Sequence, residues 1–182
     1  MTDASRPAIV KAARRAFARQ PYDAVTLRGI AAEAGVSASL IVKHFGGKEA
    51  LFDHVADFSD AAELLLSAPD SELGRHAVET LIRWRRETET DLLLRVVFAI
   101  GVGDERKLMR ERFHDQVLRA FADRLTGERT AVRAELIVAQ LLGLGAALAV
   151  GKEGPTATAD PALIAELYGP GIQALVISTN GT

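Results

Sequence analysis

Between residues 26 and 52 the chain reads TLRGIAAEAGVSASLIVKHFGGKEALF, and Gly35 constrains the fold more than any other residue in it. Leu27, Ile30, Ala31 and Ala34 recur at helical intervals and stop at this glycine. Ser37, two residues on, suits the start of a new helix, because its hydroxyl can accept from an otherwise orphaned backbone N–H. A tight turn between helices that cross steeply needs a left-handed backbone position, which glycine adopts at no steric cost. Ala31 is small enough to let the two helices approach, and Val36, Ile41 and Phe45 supply the apolar underside of the second. A further helix follows at Lys48. This spacing predicts a helix-turn-helix.

Ala38, Ser39, Leu40, Lys43 and His44 remain on the outward side of the second helix, a face of small, polar and basic groups suited to a DNA major groove. Thr26 is placed to cap the first helix, which leaves that helix's first N–H groups and Arg28 beside the DNA backbone; unpaired donors and the helix dipole favour phosphate there. Lys48 repeats the arrangement at the start of the next helix. Base reading stays open among Ser37, Ser39, Leu40 and Lys43. With neither Arg nor Asn on this face, discrimination is expected from thymine-methyl contacts, Lys43 and DNA shape.

Upstream, Pro7 suits a first helical turn, and Ile9, Ala13, Ala16 and Phe17 form one apolar stripe of a helix laid across the hairpin. Its other face carries Lys11, Arg14, Arg15 and Arg19, read as solvated. The chain's net charge of −2 looks unfavourable for a nucleic-acid partner until it is divided at His54. Residues 1–54 hold eight Lys and Arg against five Asp and Glu, while the remainder holds fourteen against nineteen. The basic share belongs to the reader.

Thr26, Ile30, Ala31, Ala34, Gly35, Val36, Ser37, His44, Phe45, Lys48, Glu49, Leu51 and Phe52 stand in the order and spacing of the N-terminal signature of the tetracycline-repressor (TetR) family, which the chain resembles mainly over residues 5–55. Two positions depart from the pattern: Ser39 replaces a residue that is often glycine, and Val42 replaces an aromatic that usually contacts the DNA backbone. The resemblance implies that Thr26, the recognition helix and Lys48 touch DNA. It also implies a C-terminal domain that dimerises and takes a small effector between its helices, whose binding releases DNA through movement of the helix beginning at Lys48.

The remaining chain shows helical periodicity and no strand pattern. One long helix is expected from Lys48 to about Leu66, ended by SAPDS at residues 67–71; further helices are expected over 73–86, 91–101 and 104–125. The last of these shows Leu108, Phe113, Val117, Phe121 and Leu125 on one face. Residues 136–150 are apolar apart from Gln140 but short of the roughly 20 residues that span a bilayer, so burial among helices is expected, with no membrane partner. Asp160 and Pro161 open a final helix, which Gly169, Pro170 and Gly171 are expected to break or kink before a last piece at 172–177. The sum is an all-α chain of about nine helices, with a helix-turn-helix domain over 1–50 and a ligand-binding and dimerisation domain over 51–182.

Ala139, Gly143 and Ala147, four apart, make a small-residue ridge suited to a subunit mate, joined by Leu167 and Leu175 in a four-helix interface. Such a dimer offers two recognition helices to a near-palindromic double-stranded operator. Phe58, His76, Trp84, Arg95, Phe98 and His114 are the candidates to line a partly apolar effector pocket, Arg95 because it interrupts the run LLLRVVFAI.

The absence of cysteine removes a disulfide framework and thiolate metal sites, and the charged N-terminus does not read as a signal peptide; a cytoplasmic protein without metal or cofactor is expected. Four scattered His, with neither an HExxH pattern nor a phosphate-cradling loop, give no catalytic constellation. The alternative to a ligand-responsive repressor is a helical ligand-binding or architectural dimer without sequence-specific DNA recognition.

Overall fold

A computed structural model of the chain describes residues 5–88, 104–151 and 154–177, and among these every regular element is helical. Two compact units divide the described residues, one formed by 5–57 with 104–109 and the other by 58–88 with 110–177. The helix expected over 91–101 lies outside the described residues, as do Arg95 and Phe98.

The first unit holds α1 (Ser5–Arg19), a 3-10 turn (Tyr22–Ala24), α2 (Leu27–Ala34), α3 (Ala38–Phe45) and α4 (Lys48–Val55). Helix α1 lies across α2 and α4. Ile9, Ala13, Ile30, Ala31, Ile41, Leu51 and Val55 close its core. Ile41 is fully buried, and removal of such a side chain from water contributes about 1.5–3 kcal/mol. Phe17 stacks on Tyr22 with centroids 5.8 Å apart, and Phe52 meets both rings edge-on.

The single helix expected from Lys48 to Leu66 is two helices, α4 and α5 (Ser59–Leu65). Ala56 and Phe58 take ψ angles of 5° and 2°, and the Phe58 N–H donates to Gln116 Oε1 at 2.7 Å instead of to a carbonyl one helical turn back. Phe58 is itself buried, so the break carries an aromatic anchor.

The second unit continues with α6 (Leu73–Thr88) and α7, which comprises Asp104–Phe113, a π-helical stretch at His114–Leu118 and Arg119–Arg124; the division between units falls within α7. Helix α8 (Thr130–Val150), a short turn α9 (Pro155–Thr158) and α10 (Pro161–Val176) complete it. Helices α6 and α10 pack most closely. Gly74 permits this: a Cβ there would lie 2.6 Å from both Gln173 N and Gly169 O. Gln173 also accepts from the Gly74 N–H at 2.8 Å, which satisfies an orphan donor at the start of α6, and donates to Asp70 O at 2.6 Å.

Of the break or kink expected at Gly169, Pro170 and Gly171, the structure excludes the break. They lie within one helix that runs to Val176, and a Cβ on Gly169 would come within 3.0 Å of Arg75 Cα, so the small residue serves helix approach. Asp160 caps this helix by accepting from the Ala162 N–H at 2.9 Å.

Helix α8 begins at Thr130, six residues before the apolar run. Its 21 residues exceed the short apolar run expected and are long and apolar enough to cross a membrane by length and composition; 44% of its most apolar window is buried within the protein. Near its start the buried Arg133 donates to Thr126 O (2.7 Å), Glu128 O (3.1 Å), Leu175 O (2.8 Å) and Val176 O (2.7 Å). The last two are carbonyls of the final turn of α10, where a helix leaves acceptors unpaired and favours a cation.

Candidate nucleic-acid interface

The turn between α2 and α3 is closed by backbone geometry. Gly35 adopts φ 67° and ψ 31°, and the Val36 N–H donates to Ala31 O at 3.0 Å. Gly46, at φ 90°, ends α3 in the same left-handed region. Thr26 caps α2 by accepting from the Gly29 N–H at 3.1 Å. Ser37 caps α3 by accepting from the Leu40 N–H at 3.2 Å, and its hydroxyl lies 3.0 Å from that of Ser39. A cap of this kind contributes about 1 kcal/mol and fixes where each helix begins.

Ile41 faces the core from α3, while Ser39, Val42 and Lys43 are exposed and Ala38 and Leu40 half-buried. Ser39, Val42 and Lys43, three and four apart, occupy one outward face. Val42, which stands where the family pattern has an aromatic, is 47% exposed. His44 is half-buried and turns toward α1, its Nε2 lying 3.3 Å from the Ser5 hydroxyl. Arg28 is exposed on α2. Helix α4 begins after an extended Gly47 that offers no side-chain cap.

The Lys48 side chain is directed inward. Its Nζ donates to Tyr22 O at 2.8 Å and Val25 O at 3.0 Å and lies 4.1 Å from the centroid of the Tyr22 ring. Burial, reinforced by the carboxylates of Glu49, Asp53 and Asp23, raises the Tyr22 phenol above its ordinary value. Tyr22 was not among the residues singled out by sequence, because its partner lies 26 positions away.

The chain matches the description of the tetR family of bacterial regulatory proteins over residues 9–55 and that of the tetracyclin repressor-like C-terminal domain over residues 71–176. It belongs to the TetR family. A TetR-family regulator from Streptomyces coelicolor is 29% identical and superposes with a TM-score of 0.60 over 94% of each chain. NalD of Pseudomonas aeruginosa, the secondary repressor of the MexAB-OprM multidrug efflux pump, is 21% identical with a TM-score of 0.63 over 99% of each chain. The fatty acid degradation regulator FadR of Bacillus halodurans, 15% identical, scores 0.66 over 91% of this chain and 96% of its own. None of the curated proteins matches the sequence. The protein is thus a ligand-responsive, DNA-binding transcriptional regulator of the TetR family, with the family's helix-turn-helix and C-terminal helical domain.

The effector candidates that are described make contacts of different kinds. Phe58 is buried edge-on to Phe113, with centroids 5.4 Å apart. His76 Nε2 lies 2.9 Å from Leu64 O and 3.0 Å from the Ser67 hydroxyl, at the end of α5. His114 is exposed beside Asp115, and Trp84 is half-buried. Gln116, whose amide oxygen holds the Phe58 N–H from the π-helical stretch, went unnoticed in the sequence. On α8, Ala139, Gly143 and Ala147 are exposed along one side, together with Val132, Leu136 and Val150; on α10, Leu163 and Leu167 are exposed and Leu175 half-buried.

Proposed function

We propose that the protein is a cytoplasmic homodimeric repressor of a near-palindromic operator, released from DNA by a small, partly apolar effector. The observation that carries the DNA half of this reading is the outward face of α3, where Ser39, Val42 and Lys43 stand together on a helix fixed at both ends by Ser37 and Gly46. In this reading Ala38, Ser39, Leu40, Val42 and Lys43 enter the major groove, Ser37 sets the helix start, and His44 orients the end of the helix through α1. Thr26, Arg28 and the first N–H groups of α2 and α4 grip phosphate, which positions the reader without specifying sequence. Two such helices, one from each subunit, meet successive major grooves roughly 34–36 Å apart.

The dimer half is supported by the exposed apolar strips on α8 and α10: Ala139, Gly143 and Ala147 as the ridge, with Leu167 and Leu175 beside it. In the effector half, Phe58, His76, Trp84, Arg95, Phe98 and His114 remain the candidates for lining the site, and fatty acids and hydrophobic drugs are the first compounds to screen, by analogy with what the two named relatives regulate. An effector can release DNA only by binding better to the conformation in which the reading heads miss the groove spacing.

Selection from a random DNA library with the purified protein at physiological salt tests the reading. Enrichment of a two-fold symmetric motif supports a dimeric sequence reader; enrichment of no motif overturns it.

A further inference from the structure

The Lys48 ammonium is bound within the reading head. Its carbonyl acceptors, Tyr22 O and Val25 O, belong to the turn immediately before Thr26, whose hydroxyl caps α2. Beneath it lies the Tyr22 ring, itself fixed against Phe17 and Phe52. Reaching a phosphate would require the ammonium to leave two oxygens and an aromatic face, all within 4.1 Å. The geometry points to Lys48 as a positioning residue: it ties the Tyr22–Val25 turn to the first turn of α4, and so sets the attitude of Thr26 and the N-terminus of α2 on DNA. The two phosphate-facing helix ends are thereby held as one piece. This inference rests on the DNA-binding reading above.

The test uses the full chain, a DNA duplex enriched by the wild-type protein, and the variants Lys48→Met, Lys48→Arg and Thr26→Ala. Methionine retains an unbranched stem over the Tyr22 ring and removes the charge. A positioning role predicts that Lys48→Met weakens binding to every duplex on the order of ten-fold, the scale of losing hydrogen bonds from a charged donor. The dependence of affinity on salt keeps its slope, because no phosphate contact is removed. Thr26→Ala then costs less in the Lys48→Met background than in the wild type. In the unbound protein, amide hydrogen exchange at residues 25–29 accelerates.

Lys48→Arg keeps the charge but cannot set one compact ammonium over the ring and against both carbonyls, so it too loses affinity at unchanged slope. A log–log salt slope shallower by about 0.9 for Lys48→Met, with losses additive to those of Thr26→Ala, identifies a direct phosphate contact and overturns the proposal. Full retention of affinity by Lys48→Arg does the same. Wild-type protein that enriches no DNA counts against the DNA-binding reading alone. In that event exchange at residues 25–29 decides the role of Lys48, and exchange unchanged by Lys48→Met refutes it.

Discussion

Replacing Gly143 with leucine separates the stability of the subunit from that of the dimer. The glycine lies inside α8 on the exposed ridge, and a Cβ built there meets no atom within 4 Å. Within the subunit the substitution relieves a helix-interior glycine, a gain of about 0.6–1 kcal/mol. In the proposed dimer, with two copies of α8 face to face, the effect should reverse. Ala139, Gly143 and Ala147 form a low exposed strip over which the proposed mate would approach closely, and a leucine in its centre would hold the two helices apart. Overpacking costs about 1–3 kcal/mol at each site, and two-fold symmetry introduces it twice, giving about 2–6 kcal/mol. The dimer dissociation constant should rise roughly thirty-fold to more than ten-thousand-fold. Sedimentation equilibrium reads the dimer, and thermal unfolding of dilute, monomeric protein reads the subunit. A leucine variant that dimerises as tightly as the wild type refutes the assignment of this ridge to the interface, and a monomer less stable than the wild type refutes the claim of open space at Gly143.

Gly74→Ala should be destabilising by more than the ~1–3 kcal/mol of ordinary overpacking, because the added carbon meets backbone atoms of α10 at 2.6 Å; a melting temperature at or above that of the wild type contradicts this. Arg133→Met leaves four carbonyls without their donor and should cost about 3–5 kcal/mol in urea unfolding, whereas a loss under ~1 kcal/mol means that water replaces the guanidinium. At the DNA surface, Val42→Ala and replacement of an operator thymine by deoxyuridine should each weaken binding by about 0.8 kcal/mol per lost methyl contact, with the double change costing little more than either. Additive losses at every thymine of the site exclude Val42 from methyl reading.

What sequence made legible was determined within a few residues. Thr26, Ser37 and Asp160 accept from N–H groups two or three positions ahead, and Gly35 takes the left-handed turn that its neighbours require. Periodicity found Ile9, Ala13, Ile30 and Ile41 in the core for the same reason. Distant partners left no such trace. The Phe58 N–H that lies between α4 and α5 finds its acceptor 58 positions away, and the close approach of α6 to α10 at Gly74 joins residues nearly a hundred apart. Arg133 lies just before the apolar run, and its partners become visible only when the carbonyls of α10 are brought against it. Lys48 has the same ambiguity: its position at a helix start points to phosphate, while its acceptors lie 23 and 26 positions back.

The π-helical stretch in α7 has a consequence for the arithmetic of that helix. Phe113, Val117, Phe121 and Leu125 are all buried, and each follows the last by four residues. On a regular helix a four-residue step overshoots a full turn by about 40°, so by the third step the stripe would have swung about 120° away from its origin. The wider turn at His114–Leu118 takes up a surplus residue and brings the stripe back. Helix α7 is therefore one residue too long for a plain α-helix to keep its apolar side chains indoors, and it should bear the loss of that residue better than a further insertion. Deleting a single residue between positions 114 and 118 would restore ordinary winding and leave Phe121 and Leu125 facing inward, whereas straightening the turn with all its residues kept would swing them about 100° toward water.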